Sequence, residues 1–433
     1  MTLHVVAPGT HLPAEVTDLV AAWAPGRRWY PGGATGLPTP WLEVTFAAAS
    51  PADDAPDVVV ALLLLGATVL QVPLVVGPKG RAEDGDPGYI GTAAGLAVHD
   101  GGVHPAAWAA YVRAAGLDPD VTGGRAIAGE QSNTSVILPA VRPDGAPHGA
   151  MLKILRTVAA GAHPDVVVPQ ALTAAGFTGT PRYLGAVELP AAPQLVHRTN
   201  HLAVLAALVP EARDGFELAC EHARAGEPFD ALAADLGVVV ARLHAALRET
   251  LPTPVTLDPA AFVTGLHLRA DAALEAAPAL APHADAVRRV LDDLRAHLTP
   301  LPLQRIHGDL HLGQALHGSG GWQVLDFEGE PQRPVAERTA PDLPVRDVAG
   351  MLRSFDYAAA VGGATDPGWS ARAQAAFLDA YRAEVGDRLD DAVLRALVLD
   401  KALYEVVYET RQRPHWVHIP LGAVERLLAG EPR

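Results

Sequence analysis

Between Arg305 and Glu330 the chain reads Arg-Ile-His-Gly-Asp-Leu-His-Leu-Gly-Gln and, further on, Trp-Gln-Val-Leu-Asp-Phe-Glu-Gly-Glu. The turn Gly318-Ser319-Gly320-Gly321 separates two apolar runs, a pattern that predicts a β-hairpin. Such a hairpin brings Asp309, Gln314 and Asp326 to one end. Two carboxylates and an amide are hard oxygen donors, suited to magnesium rather than zinc. A carboxylate beside a metal-held phosphate is what phosphoryl transfer requires, since that reaction needs positioning and charge neutralisation more than covalent help. The stretch therefore points to a kinase acting on a small molecule.

The remainder of the chain is compatible with that chemistry. With 433 residues, 49% of them hydrophobic, it can bury a large core and is expected to form two or three lobes. A net charge of -16 argues against a nucleic-acid partner, because phosphate-backbone binding needs clustered Lys and Arg. The lone cysteine, Cys220, excludes an internal disulfide framework. The N-terminal residues lack the basic region and long apolar run of a signal peptide, so a cytoplasmic setting is expected. Val58 to Val76 approaches the length of a membrane span, but Gly66-Ala67 and Pro73 interrupt it, so two strands and no membrane segment are predicted. A monomer or homodimer is expected.

Residues 1–90 combine an amphipathic helix around Pro13 to Trp23, the cluster Arg27-Arg28-Trp29-Tyr30 and these strands, which together read as a cap subdomain in which Trp29 packs. Lys79 in Gly-Pro-Lys-Gly lacks P-loop spacing and reads as a turn. Residues 91–208 read as an intermediate, nucleotide-binding part. There the polar turn Gly129 to Ser135, with Ser132, Asn133 and Thr134, can cradle phosphates before a β-branched strand. Lys153 follows on the next strand, on the face opposite Leu152 and Ile154. Asp165 opens a helix, either as a dipole-favoured carboxylate or as the partner of Lys153. Residues 209–433 read as a mostly helical lobe. His244 on its long helix reads as a satisfied core histidine. Arg346 and Asp347 open a helix expected to abut the Asp326 loop. In the tail, Glu405 and Glu409 share one helix face, with Tyr404 and Tyr408 adjoining; like charges four apart cost stability on a solvated face, which favours a site there.

Competing chemistries fit less well. His307 and His311 as a zinc pair would need a helix with Glu after the first His, and Gly308 follows instead. No Gly-x-Ser-x-Gly elbow is present for a serine nucleophile.

The whole chain resembles the actinobacterial maltokinases and their glucosamine-kinase relatives. The resemblance is carried by Glu130-Gln131-Ser132-Asn133-Thr134-Ser135-Val136, His307-Gly308-Asp309-Leu310-His311-Leu312-Gly313-Gln314, Asp326-Phe327-Glu328-Gly329-Glu330-Pro331, Arg346-Asp347-Val348-Ala349-Gly350 and Tyr404 through Arg411 to Leu421. It implies an α+β, bilobal, aminoglycoside-phosphotransferase-like (protein-kinase-like) fold with an N-terminal cap. It implies Asp309 as catalytic base, Gln314 and Asp326 as Mg2+ ligands, and Lys153 on the ATP phosphates with Ser132, Asn133, Thr134, Ser135 and Asp165 nearby. On the acceptor side it implies a sugar site drawn from His311, Arg346, Asp347, Tyr404, Glu405, Tyr408, Glu409 and Arg411.

Two departures matter. The family's acidic residue two positions beyond Asp165 is Val167 here, and the cap diverges after Trp29-Tyr30. The expected reaction is phosphorylation of glucosamine at its 6-hydroxyl, with Glu405 and Glu409 pairing the ammonium; maltose, made 1-phosphate, is the alternative. Loss of the acidic partner of Lys153 also keeps open a non-catalytic ATP-binding regulator.

Overall fold

The computed structural model describes residues 3–32, 36–46, 56–78, 86, 88–127, 132–190, 199–330, 338–386 and 389–430. The chain divides into two compact units, Met1–Gln170 with Pro181–Leu208, and Ala171–Thr180 with Val209–Arg433. Lys79 and the Gly129 to Gln131 part of the polar turn lie outside the described residues.

The first unit holds two antiparallel sheets. The six-stranded one uses β1 (Leu3–Val6), β2 (Thr39–Phe46), β3 (Asp57–Leu65), β4 (Thr68–Pro78), β5 (Tyr89–Ala93) and β6 (Leu96–Asp100), in the order β1-β2-β3-β4-β6-β5. Helix α1 (Ala14–Trp23) covers one face, and α2 (Pro105–Ala114) follows β6. The five-stranded sheet uses β7 (Arg125–Ala126), β8 (Thr134–Leu138), β9 (Ala150–Ile154), β10 (Tyr183–Glu188) and β11 (His201–Ala207), with α3 (Pro164–Ala174) between β9 and β10.

The long apolar run of β3 and β4 follows from burial on both faces. Val59, Ala61, Leu63 and Leu65 join Leu12, Val16, Val20 and Trp29 in one core. Val60 and Leu62 point the other way, into a core shared with Val136, Leu152 and Leu202. Alternate side chains leave a strand on opposite sides, so a strand between two cores must be apolar at nearly every position. Gly66-Ala67 makes the turn that the sequence predicts. Gln71, fully buried, donates through Nε2 to Leu155 O and Leu202 O at 2.8 Å each and links the two sheets.

Arg156 is a second link. Its guanidinium meets the Asp100 carboxylate at 3.1 and 3.2 Å, donates to Thr134 Oγ1 at 2.9 Å and lies 4.7 Å from the Trp29 ring centre. The arginine in contact with Trp29 is thus not its chain neighbour Arg28.

The second unit begins with β12 (Arg213–Asp214) and α4 (Gly215–Ala225), capped by Asp214 on the N–H groups of Phe216 and Glu217. It continues with α5 (Asp230–Thr250), β13 (Val255–Thr256), α6 (Pro259–Ala276), α7 (Ala284–His297), β14 (Pro302–Leu303), the hairpin β15 (Ala315–Gly318) and β16 (Gly321–Val324), α8 (Val345–Gly362), α9 (Trp369–Val385), α10 (Asp391–Gln412) and α11 (His418–Ala429). The hairpin pairs Ala315 with Val324 and Gly318 with Gly321. Trp322 anchors it, donating Nε1–H to Leu232 O of α5 at 2.8 Å. No described helix is long and apolar enough to cross a membrane.

Candidate active site

In the second unit the turn His307-Gly308-Asp309 is held from three sides. Asp347, in the first turn of α8, accepts the His307 N–H at 2.7 Å and the Gly308 N–H at 2.9 Å. Its Oδ2 also meets His244 Nε2 at 3.1 Å, and His244 Nδ1 meets Tyr381 Oη at 2.9 Å. His244 is therefore a satisfied core histidine, as expected, with a bracing role. Burial alone would raise the pKa of Asp347, but the His244 hydrogen bond, the charge interactions with His244 and His307 and the Gly308 N–H outweigh it and hold the carboxyl below its ordinary value. The sequence reading set Arg346 and Asp347 against the Asp326 loop. Asp347 accepts from the His307-Gly308 backbone, and Arg346 pairs with Asp342 and Asp400.

The His307 ring is the second brace. Nε2 donates to Leu325 O at 2.7 Å, and Nδ1 accepts the Asp309 N–H at 3.3 Å. One side chain thereby ties the backbone of Asp309 to the residue before Asp326. The zinc-pair reading of His307 and His311 fails here, because His311 Nδ1 caps the short turn Leu312–Gln314 by accepting the Gly313 N–H at 3.1 Å. The third restraint is close packing of α8. A Cβ on Gly350 would lie 2.5 Å from Leu310 O, so only glycine lets the helix come this near.

The hairpin does what its sequence predicts for the amide and carboxylate. Gln314 Nε2 lies 3.3 Å from Asp326 Oδ2, with Leu325 N–H bonded to Gln314 O. Asp326 has φ +63, a conformation uncommon outside glycine, while Phe327 beside it is buried against the His307 ring at 5.1 Å. A divalent ion with oxygen preference fits this pair: an amide and a carboxylate at hydrogen-bond distance can both turn oxygen toward one cation.

A cavity of about 340 Å³ opens beside Asp309. Of the sequence-predicted acceptor residues, Arg346, Asp347, Tyr404 and Arg411 line it. His311, Glu405, Tyr408 and Glu409 do not. Glu405 is buried against Arg353 at 2.8 Å. Glu409 is 1% exposed and accepts from Tyr357 at 2.9 Å and from Arg413 at 2.6 Å. The like-charged spacing is thus satisfied by internal cations, and the expectation that this pair meets an acceptor ammonium gives way. The reason is helix rotation: successive residues turn about 100°, so the face through Leu397, Lys401, Tyr404, Val407 and Arg411 carries the cavity, and Glu405 and Glu409 point elsewhere. Tyr408 stacks on Tyr404 from outside the wall.

Sequence reasoning missed Lys401, Asp400, Glu330 and Arg269, all on the cavity wall. Lys401 Nζ lies 3.2 Å from Glu330 Oε1 and 3.9 Å from Asp309 Oδ1. Asp400 pairs with Arg269 at 2.8 Å and with Arg346 at 3.5 Å. The signal was present in the three-to-four-residue spacing of Lys401 from Leu397 and Tyr404.

In the first unit, Lys153 of β9 pairs with Asp165 of α3 at 2.6 Å. Asp165 therefore occupies the partner role that Val167 cannot fill, and the feature that kept a non-catalytic scaffold in view is absent. His163 Nδ1 accepts the Asp165 N–H at 3.2 Å and fixes the start of α3. Ser135 stands opposite Lys153 in the β8–β9 register. Two neighbours serve Arg156: Asn133 Oδ1 accepts its backbone N–H at 3.2 Å, and Thr134 Oγ1 accepts from its Nε. Asn133 Nδ2 lies 3.4 Å from Ser132 Oγ.

Residues 150–397 match the phosphotransferase enzyme family (APH). The chain belongs to that family. Within it, this phosphotransferase is 35% identical over 331 residues to a glucosamine kinase of Streptacidiphilus jiangxiensis, covering 69% of this chain and 72% of that one. It is 31% identical over 334 residues to a glucosamine kinase of Mycolicibacterium smegmatis (strain ATCC 700084 / mc(2)155), covering 71% and 80%. A solved glucosamine kinase structure matches the phosphotransferase with a TM-score of 0.68 at 28% identity over 95% of this chain and 99% of that chain. Another, described as in complex with glucosamine, ADP and inorganic phosphate, matches with a TM-score of 0.66 at 28% identity over 95% and 98%. The family has the α+β fold expected from the sequence.

Proposed function

We infer that this phosphotransferase is an ATP-dependent sugar kinase whose acceptor is glucosamine, converted to glucosamine 6-phosphate. The observation that carries the reading is the likeness, over 95% of the chain, to a kinase structure holding glucosamine and ADP. The chain's own cavity supports it. At about 340 Å³ it lies near the lower end of small-molecule sites, which suits a single sugar ring, and the Asp309 carboxylate lies on its wall.

In this reading the sugar hydroxyl oxygen attacks the γ-phosphorus in line, the bond to the β-phosphate oxygen breaks, and ADP leaves. Asp309 accepts the hydroxyl proton, and its braced turn keeps the carboxylate from drifting. Lys153, fixed by Asp165, offsets negative charge on the ATP phosphates, with the Ser132 to Ser135 segment beside it. Gln314 and Asp326 would hold Mg2+, which when bound supplies neutralisation of phosphate charge.

An ADP-release assay across glucosamine, glucose, maltose and an aminoglycoside tests the acceptor. Turnover is expected with glucosamine, and its absence, or a clear preference for maltose, overturns the assignment. Asp309→Asn should lower turnover by roughly 10²–10⁴-fold with ATP binding retained, and near-normal turnover would remove the base assignment.

A further inference from the structure

Lys401 is a half-buried cation on the cavity wall that phosphotransfer, as described above, does not use. Its ammonium donates to Glu330 Oε1 at 3.2 Å, and its contact with Asp309 Oδ1 at 3.9 Å lies beyond hydrogen-bond length. The first contact anchors the ammonium. The second is Coulombic, so it draws the Asp309 carboxylate to one side without occupying the lone pair that must receive a proton. The Tyr404 ring centre lies 5.3 Å from the ammonium nitrogen and faces it.

Arg411 lines the same cavity, and His311, whose pKa burial pushes down, interacts with both Asp309 and Lys401, while the nearby acidic groups are committed. On the same helix, Asp400 is held by Arg269 of α6 and Arg346 of α8, and Glu405 by Arg353 of α8. Among the described residues Lys401 is the cation within 4.0 Å of Asp309. Burial works against its charge, but Glu330, Asp309 and Glu405, in that order, outweigh burial and push its pKa upward. The ammonium therefore stays protonated across the working range of a carboxylate base.

We propose that Lys401 is a positioning residue for phosphoryl transfer: anchored by Glu330, it holds the Asp309 carboxylate in the orientation from which it accepts the acceptor proton. The proposal rests on reading Asp309 as the base. It makes a signed prediction, because Lys401 and Glu330 bear on the same carboxylate with opposite charge.

The test is the pH profile of kcat for glucosamine phosphorylation in Lys401→Met, Lys401→Arg and Glu330→Gln, with Asp309→Asn in parallel. Lys401→Met should lower kcat about 10- to 100-fold at pH 7, with KM for ATP little changed. Its acid limb should move up, since the carboxylate base loses a cation and keeps a like charge nearby. Glu330→Gln should move that limb down. Lys401→Arg should recover part of the lost turnover. A merely structural lysine would not shift the two limbs in opposite directions.

Lys401→Met with kcat within twofold of the parent, or limbs that move together or not at all, overturns the proposal. If Lys401→Met folds poorly, Lys401→Arg and Glu330→Gln carry the comparison, and an unmoved limb in Glu330→Gln is then the refuting result. Near-normal turnover in Asp309→Asn would instead remove the base reading, whatever the Lys401 variants do.

Discussion

Asp347→Asn isolates the brace under the His307-Gly308-Asp309 turn without changing side-chain volume. The native carboxylate gives separate oxygens to two backbone N–H groups, at 2.7 and 2.9 Å, and shares Oδ2 with His244. An asparagine has one oxygen, so its NH2 must face either the Gly308 N–H or the His307 N–H and His244, donor against donor. Each charge-assisted bond contributes roughly 1.5–3 kcal/mol, and a buried N–H left unpaired adds a desolvation cost. The sum lies near the roughly 3–5 kcal/mol lost when a buried charged network is broken, and we expect about 3 kcal/mol because one bond survives. In a unit of this size that lowers Tm by about 6–12 °C. Turnover should fall by about 10²-fold, the consequence of an ångström of play at the reacting group.

Urea unfolding followed by tryptophan fluorescence and ADP release at saturating substrates measure both. The stability difference also has a pH signature. The Asp347 carboxyl is held below the ordinary value of 3.8, so its contribution is present above that value and lost as pH falls through the lower folded one. The gap between parent and variant should be flat above about pH 5 and close in more acidic solution. A gap under about 0.5 kcal/mol at pH 7, with kcat within twofold, would refute the bracing argument, since changes of that size are typical of uninvolved surface positions.

Two further perturbations probe the scaffold, one in each unit. Gly350→Ala places a methyl 2.5 Å from Leu310 O and should push α8 away from the turn, lowering kcat about tenfold with KM for ATP unchanged; an unaffected kcat would show that this close approach is dispensable. Arg156→Met removes the cation from a buried pair with Asp100 and the Nε donor to Thr134 Oγ1, while the backbone N–H bond to Asn133 stays. Unfolding free energy of the first unit should fall by about 3 kcal/mol and KM for ATP should rise, and a variant as stable as the parent would mean the two sheets are joined without that arginine.

What could be read from the sequence follows from how far apart the cooperating residues lie. Gln314 and Asp326 were legible as neighbours because a hairpin of two four-residue strands brings its ends together, whereas the turn that carries Asp309 also depends on Asp347 of the later helix α8. The strands of residues 57–78 were legible for the same local reason, a Gly-Ala turn and a proline in an apolar run, but their burial between two cores was not, because that depends on strands far along the chain, such as β8 and β9. Arg156 left no local signal, since Asp100 and Trp29 give it meaning only in three dimensions. Helix α10 was legible as a helix and misread in phase. Glu405 and Glu409 drew attention as an unusual charge pair, yet their charges are answered by Arg353 and Arg413, while the quieter Lys401, one turn earlier, faces the cavity. A charge pattern on a helix reports that something must neutralise it; which residues do so depends on the partner helix. Here α8 supplies both the cation that pairs with Glu405 of α10 and the carboxylate that holds the His307-Gly308-Asp309 turn, so one helix answers the charge on the neighbouring helix and fixes the turn.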